Sequence, residues 1–472
     1  MRKNILSILM LVAVLLMAAC NPSREVQLTI DNTKPVSTEN RVIYQLNIGA
    51  FTPEGTFQAA QAQLNRLDTL GIDIIWLMPI YPRGMAKCSP YASMNFREVN
   101  PSYGTTSDVK AFVDAAHEHG MKVWLDWVPN HVAVENPWVN EHPEYFTKDA
   151  KGKMIHPNGW NDVLELNYLD EGLATAMNDA LKFWMDECGI DGFRCDYVSS
   201  PTIPVRYWQN IIAELKSRRP GTELLSETDI TNPYNRRIDS CGFDYDYAWD
   251  FQTALAWKFR NSANADSLRH ICEEMLETSA QVKNHRMVYL TNHDQNYNDG
   301  GNTLKDFFGD NRYGMTVLEF TFYGMPLLYQ GQEIGDPDTL NYFTDAKVKW
   351  HAVDQKMKQT VRTLVALHHQ QPALAADAPV EWIETDSPSV LAYRRLPAHQ
   401  QSAVAEAAPV IVVLNLSDQP VNAQLTGVEA GTYTRQLDSS TIADGPSASN
   451  EEFGDTPTIA LDAKGYAVFV KQ

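Results

Sequence analysis

The stretch "DGFRCDYV", residues 191–198, places an arginine between two carboxylates in a run that otherwise reads as a buried strand. Arg194 and Asp196 are two positions apart, so on a strand they point to one face. A guanidinium beside a carboxylate holds it ionised by Coulomb attraction and hydrogen bonding, which is the state a nucleophile requires. Three further runs end in groups of the same kind: Asp126, Asn130 and His131 in "KVWLDWVPNH", Glu227 in "LLSETD", and His293 and Asp294 in "MVYLTNHD". A single strand-end Asp is ordinarily a helix cap, and a single His ordinarily packing. Four runs with such ends are harder to assign to caps. If Glu227 ends the strand beside that of Asp196, about 4.8 Å away, the pair approaches the roughly 5 to 5.5 Å that separates nucleophile and acid in retaining glycoside hydrolysis. An ionised Asp196 favours a protonated Glu227, since like charges raise the second pKa. Glu227 is then the general acid and afterwards the base, while Asp294, His131 and His293 bind sugar hydroxyls and stabilise an oxocarbenium-like transition state. The competing assignment is a structural Arg–Asp ion pair with no chemistry.

Such groups need a scaffold that gathers strand ends. Short apolar runs rich in β-branched and aromatic residues recur at 42–51, 72–80, 122–128, 191–198, 224–229, 243–249, 287–294 and 326–333. Near-continuous apolar runs suit parallel strands buried on both faces. The connecting segments read as helices. Phe57, Ala60, Leu64 and Leu67 recur at helical spacing between a capping Thr56 and a closing Gly71. Leu173, Met177, Leu181, Trp184 and Cys188 do the same before Gly189, and Met357, Val361, Leu364 and Val365 mark a last apolar face before Pro372. The alternation predicts an α/β chain with a (β/α)8 TIM barrel over 41–375, whose functional end is the C-terminal end of its strands. A doubly wound open sheet is the alternative. It normally carries a glycine-rich phosphate turn after its first strand, and "GAFTPEGTF" is a poor match. A short insert, 132–170, follows the third strand; for each of its Trp138, Trp160 and Tyr168, core packing is the simpler reading. Strand-period runs separated by turn residues predict a C-terminal antiparallel β-sandwich over 376–472.

The net charge of −20 in 472 residues disfavours a nucleic-acid or anionic-membrane surface and suits a neutral substrate. At the N-terminus, Arg2 and Lys3 precede an apolar run that ends in "LMAAC". This is the layout of an export signal over residues 1–20, too short to favour a spanning helix. Cys20 directly after Ala18-Ala19 resembles a lipoprotein processing site. The expectation is a cleaved signal, an acylated Cys20, a polar tether over 21–40, and an exported lipoprotein held at the periplasmic side or cell surface. A plain secretory signal is the alternative. The five remaining cysteines are odd in number and lack metal-ligand spacing, so thiols are expected.

The strand-end motifs resemble, in the same order, the signature regions of the α-amylase superfamily, glycoside hydrolase family 13: "DWVPNH", "GFRCD", the Glu of "LLSETD", and "LTNHD". "GMPLLYQGQE" (324–333) is similar to a family segment on the eighth strand. "SPYASMNFREVNPSYGT" (89–105) is similar to the segment whose tyrosine stacks on the sugar in the –1 subsite, which gives Tyr91 that role. The resemblance implies Asp196 as nucleophile, Glu227 as acid/base and Asp294 as the carboxylate that distorts the bound sugar. It implies His131 and His293 as hydroxyl binders, Arg194 as the arginine beside the nucleophile, Asp126 as a buried support, and an α-1,4-glucan as substrate. It also implies calcium at Asn130. Ser199 and Ser200 depart from the Lys-His pair of many α-amylases, whose histidine carbonyl helps hold that metal, and no insert partner is recognisable around 161–168; calcium stays open. The short tether, in place of an added N-terminal β-domain, argues against the cyclodextrinase and neopullulanase subgroup. An α-glucan transferase and a catalytically silent glycan-binding protein are the competing functions. The complete set Asp196, Glu227 and Asp294 argues against the second.

Overall fold

The computed structural model describes residues 40–260, 263–298, 302–397, 408–440, 442 and 448–472. The leader, Cys20 and nearly all of the tether lie outside the described residues. Eight parallel strands close into a barrel. In chain order they are β1 (Ile43–Leu46), β2 (Ile74–Leu77), β3 (Lys122–Trp127), β6 (Gly192–Cys195), β7 (Glu223–Ser226), β8 (Tyr245–Tyr247), β9 (His285–Val288) and β10 (Met325–Tyr329). The last returns to the first, Leu327 opposite Ile43. All eight overlap the apolar runs read from the sequence, although β9 begins two residues before its run and β7 and β10 one residue before theirs, and closure removes the edges that an open sheet would have to protect.

Alternation along each strand divides its residues between two cores. Trp76, Trp124, Tyr247 and Met287 fill the barrel interior, while Leu77, Val123, Leu125, Trp127 and Phe193 pack outward beneath the helices. Interior space is set by close contacts. A Cβ at Gly192 would sit 2.2 Å from the Glu223 carbonyl oxygen and 2.7 Å from the Trp124 ring, so the β7 backbone and the indole on β3 together require glycine on β6.

Thr56 caps its helix as expected and Gly71 closes it at φ 94. The segment is two pieces rather than one, Phe57–Gln61 and Leu64–Leu70. A tight bond from Gln63 N–H to Ala60 O shortens the turn between them, yet Phe57, Ala60, Leu64 and Leu67 all stay buried. The helix Glu171–Cys188 starts at an Asp170 cap and stops at left-handed Gly189, and the helix Gln355–Gln370 ends before Pro372. After β3 the insert opens with β4 (His131–Ala133), antiparallel to β5 (Val163–Glu165). No described helix is long and apolar enough to cross a membrane, and the five described cysteines are thiols.

The C-terminal region is one eight-stranded antiparallel sheet. Its strands are β11 (Val380–Thr385), β12 (Val390–Arg395), β13 (Val410–Asn415), β14 (Val421–Thr426), β15 (Gly431–Asp438), β16 (Ser449–Phe453), β17 (Thr458–Leu461) and β18 (Tyr466–Lys471). On β13, Val410, Val412 and Leu414 join the core shared with the barrel helices. Ile411 and Val413 face the other way and pack with Leu425 of β14, Ile459 of β17 and Phe469 of β18. The sheet thus folds over its own core in two layers, as a sandwich does.

Candidate active site

Register sets the first contacts. Asp126 on β3 lies opposite Arg194 on β6, and β7 follows β6 directly, Cys195 opposite Ser226. Asp196 and Glu227 therefore leave adjacent strand ends. Arg194 is fully buried and is the hub of the mouth. Its Nη1 donates to Asp126 Oδ1 at 2.8 Å and to Asp196 Oδ1 at 3.0 Å, and its Nε donates to the Tyr247 hydroxyl at 3.0 Å. Its Nη2 lies 2.7 Å from Glu227 Oε1. That contact is an electrostatic approach rather than a directed hydrogen bond, since Nη2 has no aligned acceptor. Glu227 Oε2 accepts the Tyr197 N–H at 2.7 Å. Tyr197 adopts φ 42, a left-handed conformation costly for a bulky residue. The strained turn directly after Asp196 is what aims that N–H at Glu227.

A second chain of bonds reaches Asp126. The backbone N–H of His293 donates to Gln45 Oε1 at 3.3 Å, which leaves the Gln45 amide to donate to His293 Nδ1 at 2.8 Å. The proton on His293 then sits on Nε2 and is given to the Tyr91 hydroxyl at 2.7 Å, and Tyr91 in turn donates to Asp126 Oδ2 at 3.0 Å. The Tyr91 and His293 rings stack, 5.1 Å between centroids. Trp76 Nε1 adds a bond to Asp126 Oδ2 at 3.2 Å.

Burial dominates the proton equilibria. It pushes Glu227 up to about 8, against the pull of Arg194 and with help from ionised Asp196. It pushes Asp196 up to about 7, again opposed by Arg194. The two titrate as a pair, and the directed Arg194 bond to Asp196, which Glu227 lacks, favours the shared proton on Glu227. Asp126 is raised by burial to about 6, with Arg194 opposing. His131 and His293 are lowered by burial to about 4 and are neutral at pH 7. A neutral imidazole donates one hydrogen bond without bringing a charge.

Tyr91, His131, Asp196, Glu227 and His293 line a cavity of about 550 Å³ together with Asp294, Tyr342 and Phe343, while buried Asp126 and Arg194 support it from beneath through their bonds to Tyr91 and Asp196. The structure thus brings Tyr91, Asp126, His131, Arg194, Asp196, Glu227, His293 and Asp294 to one mouth. Trp138 and Tyr168 pack, Trp138 against Phe96 and Tyr145, and Tyr168 against Tyr207. Trp160 departs from the packing expectation. It is 40% exposed and lines the cavity, edge-on to His131 and Tyr197. Sequence reasoning also missed Gln45, Trp76 and Tyr247, which sit in ordinary apolar strand runs, and the stacked pair Tyr342 and Phe343. Two adjacent aromatics in the polar stretch "DTLNYFTDAK" were the available signal for that pair.

Asn130 is buried, and its Oδ1 has no hydrogen-bond donor. One such oxygen suits calcium, but calcium takes six to eight. Among the described residues no group of three or more His, Cys, Asp or Glu side chains converges to hold a metal. The carbonyls of Ser199 and Ser200 accept from Arg237 Nη2 at 3.2 and 3.0 Å. The residues present do not assemble a calcium shell, and no step below runs through that metal.

A closed parallel barrel with buried carboxyls gathered at the C-terminal end of its strands is an arrangement that suits glycoside hydrolysis. The chain matches the alpha amylase catalytic domain over residues 30–165 and 158–402, and it belongs to that family. It is similar to the alpha-amylase MalA of Haloarcula japonica, 28% identical over 84% of this chain and 58% of that protein. It is similar also to the alpha-1,4-glucan:maltose-1-phosphate maltosyltransferase of Arcanobacterium haemolyticum, 27% identical over 58% of this chain and 42% of that one. The chain therefore spans roughly half the length of these curated relatives. Among solved structures, an alpha-amylase from Lactobacillus plantarum aligns with a TM-score of 0.74 at 25% identity, covering 92% of this chain and 99% of that one. A maltogenic alpha-amylase, AmyB from Thermotoga neapolitana, aligns over the same shares with a TM-score of 0.76 at 23% identity.

Proposed function

We propose that this enzyme hydrolyses α-1,4-glucosidic bonds of starch or maltooligosaccharides with retention at the anomeric carbon. The observation that carries the reading is the single buried guanidinium of Arg194, which contacts Asp126, Asp196 and Glu227 together and opposes protonation of the nucleophile. In the first displacement the Asp196 carboxylate attacks the anomeric carbon. The glycosidic C–O bond breaks, and its oxygen takes the Glu227 proton. In the second, Glu227 removes a proton from water as the water oxygen attacks the same carbon and releases Asp196. Asp294 and His131 hold hydroxyls of the sugar at the cut, Tyr91 offers it a ring face, and His293, whose ring nitrogens already meet Gln45 and Tyr91, reaches a sugar hydroxyl only by giving up the Tyr91 bond.

The test is product analysis on soluble starch and maltoheptaose with the anomer followed by NMR. Short maltooligosaccharides released first as the α-anomer are expected; a β-anomer overturns the double displacement. The relatives include a maltosyltransferase and a cyclomaltodextrin glucanotransferase as well as amylases. Products longer than the maltoheptaose supplied would make a sugar hydroxyl, not water, the acceptor.

The leader supports a second reading, export and acylation at Cys20. Labelled palmitate incorporated by the wild-type chain and absent from Cys20→Ser is the expected result; equal labelling, or none in either, overturns it.

A further inference from the structure

One side chain fastens together the loops that follow β6 and β7. After Asp196 the chain turns through Tyr197 at φ 42, and three carbonyl oxygens of that segment converge on the guanidinium of Arg237. Its Nη2 donates to Ser199 O at 3.2 Å and to Ser200 O at 3.0 Å, and its Nη1 donates to Ile203 O at 3.4 Å. Arg237 lies on the short helix Asn235–Ser240, in the loop that begins at Glu227. That loop is itself tied down: Asn235 Nδ2 donates to Asp229 O at 2.9 Å and Arg236 Nε to Ile230 O at 3.1 Å. The guanidinium also sits over the Tyr234 ring, 4.6 Å from its centroid.

A left-handed tyrosine persists only where its surroundings over-determine it. The segment supplies two bonds of its own, Ser200 N–H to Tyr197 O at 3.0 Å and Ile203 N–H to Ser200 O at 3.2 Å. Arg237 adds three from the neighbouring loop. A planar fork can reach several carbonyls at fixed angles, which a point charge cannot do.

We propose that Arg237 is a positioning residue: by holding the Ser199, Ser200 and Ile203 carbonyls it keeps the Tyr197 N–H on Glu227 Oε2, so that the loop of the acid/base fixes the loop of the nucleophile. The inference rests on the double-displacement reading of Asp196 and Glu227 and deepens it with a residue that acts through the backbone rather than on the sugar.

The test follows kcat and KM on maltoheptaose across pH for wild type, Arg237→Ala and Arg237→Lys. Arg237→Ala is expected to lower kcat about 10- to 100-fold, the scale of a misplaced catalytic group, with little change in KM. The Tyr197 N–H favours ionised Glu227, so its loss moves the alkaline limb up by about half a pH unit or more. The other titratable groups facing Glu227 are Arg194 and Asp196 from β6 and its end, Asp126 on β3, Tyr247 on β8, and Tyr289 and Asp294 after β9. Removing a cation nearby would move the limb in the same direction, and Arg237→Lys separates the two causes. It keeps the charge but cannot span three carbonyls, so it is expected to keep most of the defect. Ethylguanidinium added to Arg237→Ala should restore both kcat and the limb. Amide hydrogen exchange over residues 196–203 is read separately and should be faster in both variants.

A lowered Tm with kcat at low temperature, limb and exchange all unmoved would make Arg237 a structural tie and overturn the proposal. Wild-type behaviour of Arg237→Lys would overturn it too, and that variant decides alone if Arg237→Ala does not fold. A wild type that turns over no α-glucan removes the hydrolase reading instead, and the exchange measurement then decides whether Arg237 holds the turn.

Discussion

Arg194 and Arg395 are both buried arginines, and they solve the problem of an interior charge in opposite ways. Arg395, at the junction of barrel and C-terminal sheet, donates to the carbonyls of Thr321, Ala375 and Ala378 at 3.0, 2.7 and 2.9 Å. Neutral dipoles take up its two terminal nitrogens without matching its charge, and burial lowers its pKa to about 10. Arg194 meets carboxyls instead, and their fields hold its pKa well above the ordinary value despite complete burial. Carbonyls fasten two parts of a chain together. Carboxyls around a cation form a site whose proton can be moved, at the cost of several acids held in a medium that disfavours their charge.

That contrast can be tested from both sides. The largest effect is expected at Asp196→Asn, which removes the nucleophile and lowers kcat on the order of 10⁴-fold or more. Steady-state assays with circular dichroism to confirm folding would check it. Arg194→Lys keeps the charge but loses the planar fork, so a fall in kcat of about 10²- to 10³-fold is expected; near-normal turnover would reduce Arg194 to a structural ion pair. Arg395→Met reverses the pattern. It strands three carbonyls at roughly 1 to 3 kcal/mol each before relaxation, so Tm drops by several degrees while kcat at low temperature stays within about twofold. A kcat loss without a Tm change would break the comparison.

The pH predictions are smaller. On the proposed double displacement turnover needs Asp196 ionised and Glu227 protonated, so kcat/KM is expected to be bell-shaped with both limbs above the usual carboxylate range, and Glu227→Gln is expected to lose the alkaline limb. Burial raises the folded pKa of Glu227 above its unfolded value. Below the unfolded pKa both states hold the proton and nothing is lost; as pH rises through the folded pKa that stability disappears. Glu227→Gln should match the wild-type Tm at pH 4 and exceed it by on the order of 1 to 3 °C at pH 8, read by calorimetry. The smallest expected effect is that of a chelator. Arg237 already holds the Ser199 and Ser200 carbonyls, so activity should survive EDTA; a loss restored by calcium would put a metal beside Asn130.

The barrel was legible because near-continuous apolar runs, helical spacing between them and strand-end polar residues are local signals. The gathering of Asp126, Arg194, Asp196 and Glu227 followed from the eightfold alternation once the strands were ordered. The groups that orient them were not legible. Gln45 and Tyr247 read as parts of apolar strands, and only closure of β1 against β10 and of β8 against β9 brings their polar ends to the mouth. Trp160 read as packing because nothing local distinguishes an indole that fills a core from one that faces a cavity. Arg237 and Arg395 find their carbonyl partners tens of residues away, beyond any pattern in a short window.

One guanidinium contacts Asp126, Asp196 and Glu227 together, so a change at Arg194 disturbs all three at once. Residues of the rim such as Trp160 and Phe343 make no contact with that guanidinium and are free to drift. In a library selected for cleavage of an unfamiliar glucan, accepted changes should therefore collect around the rim, and lineages carrying a change at the hub should fall out in the first round.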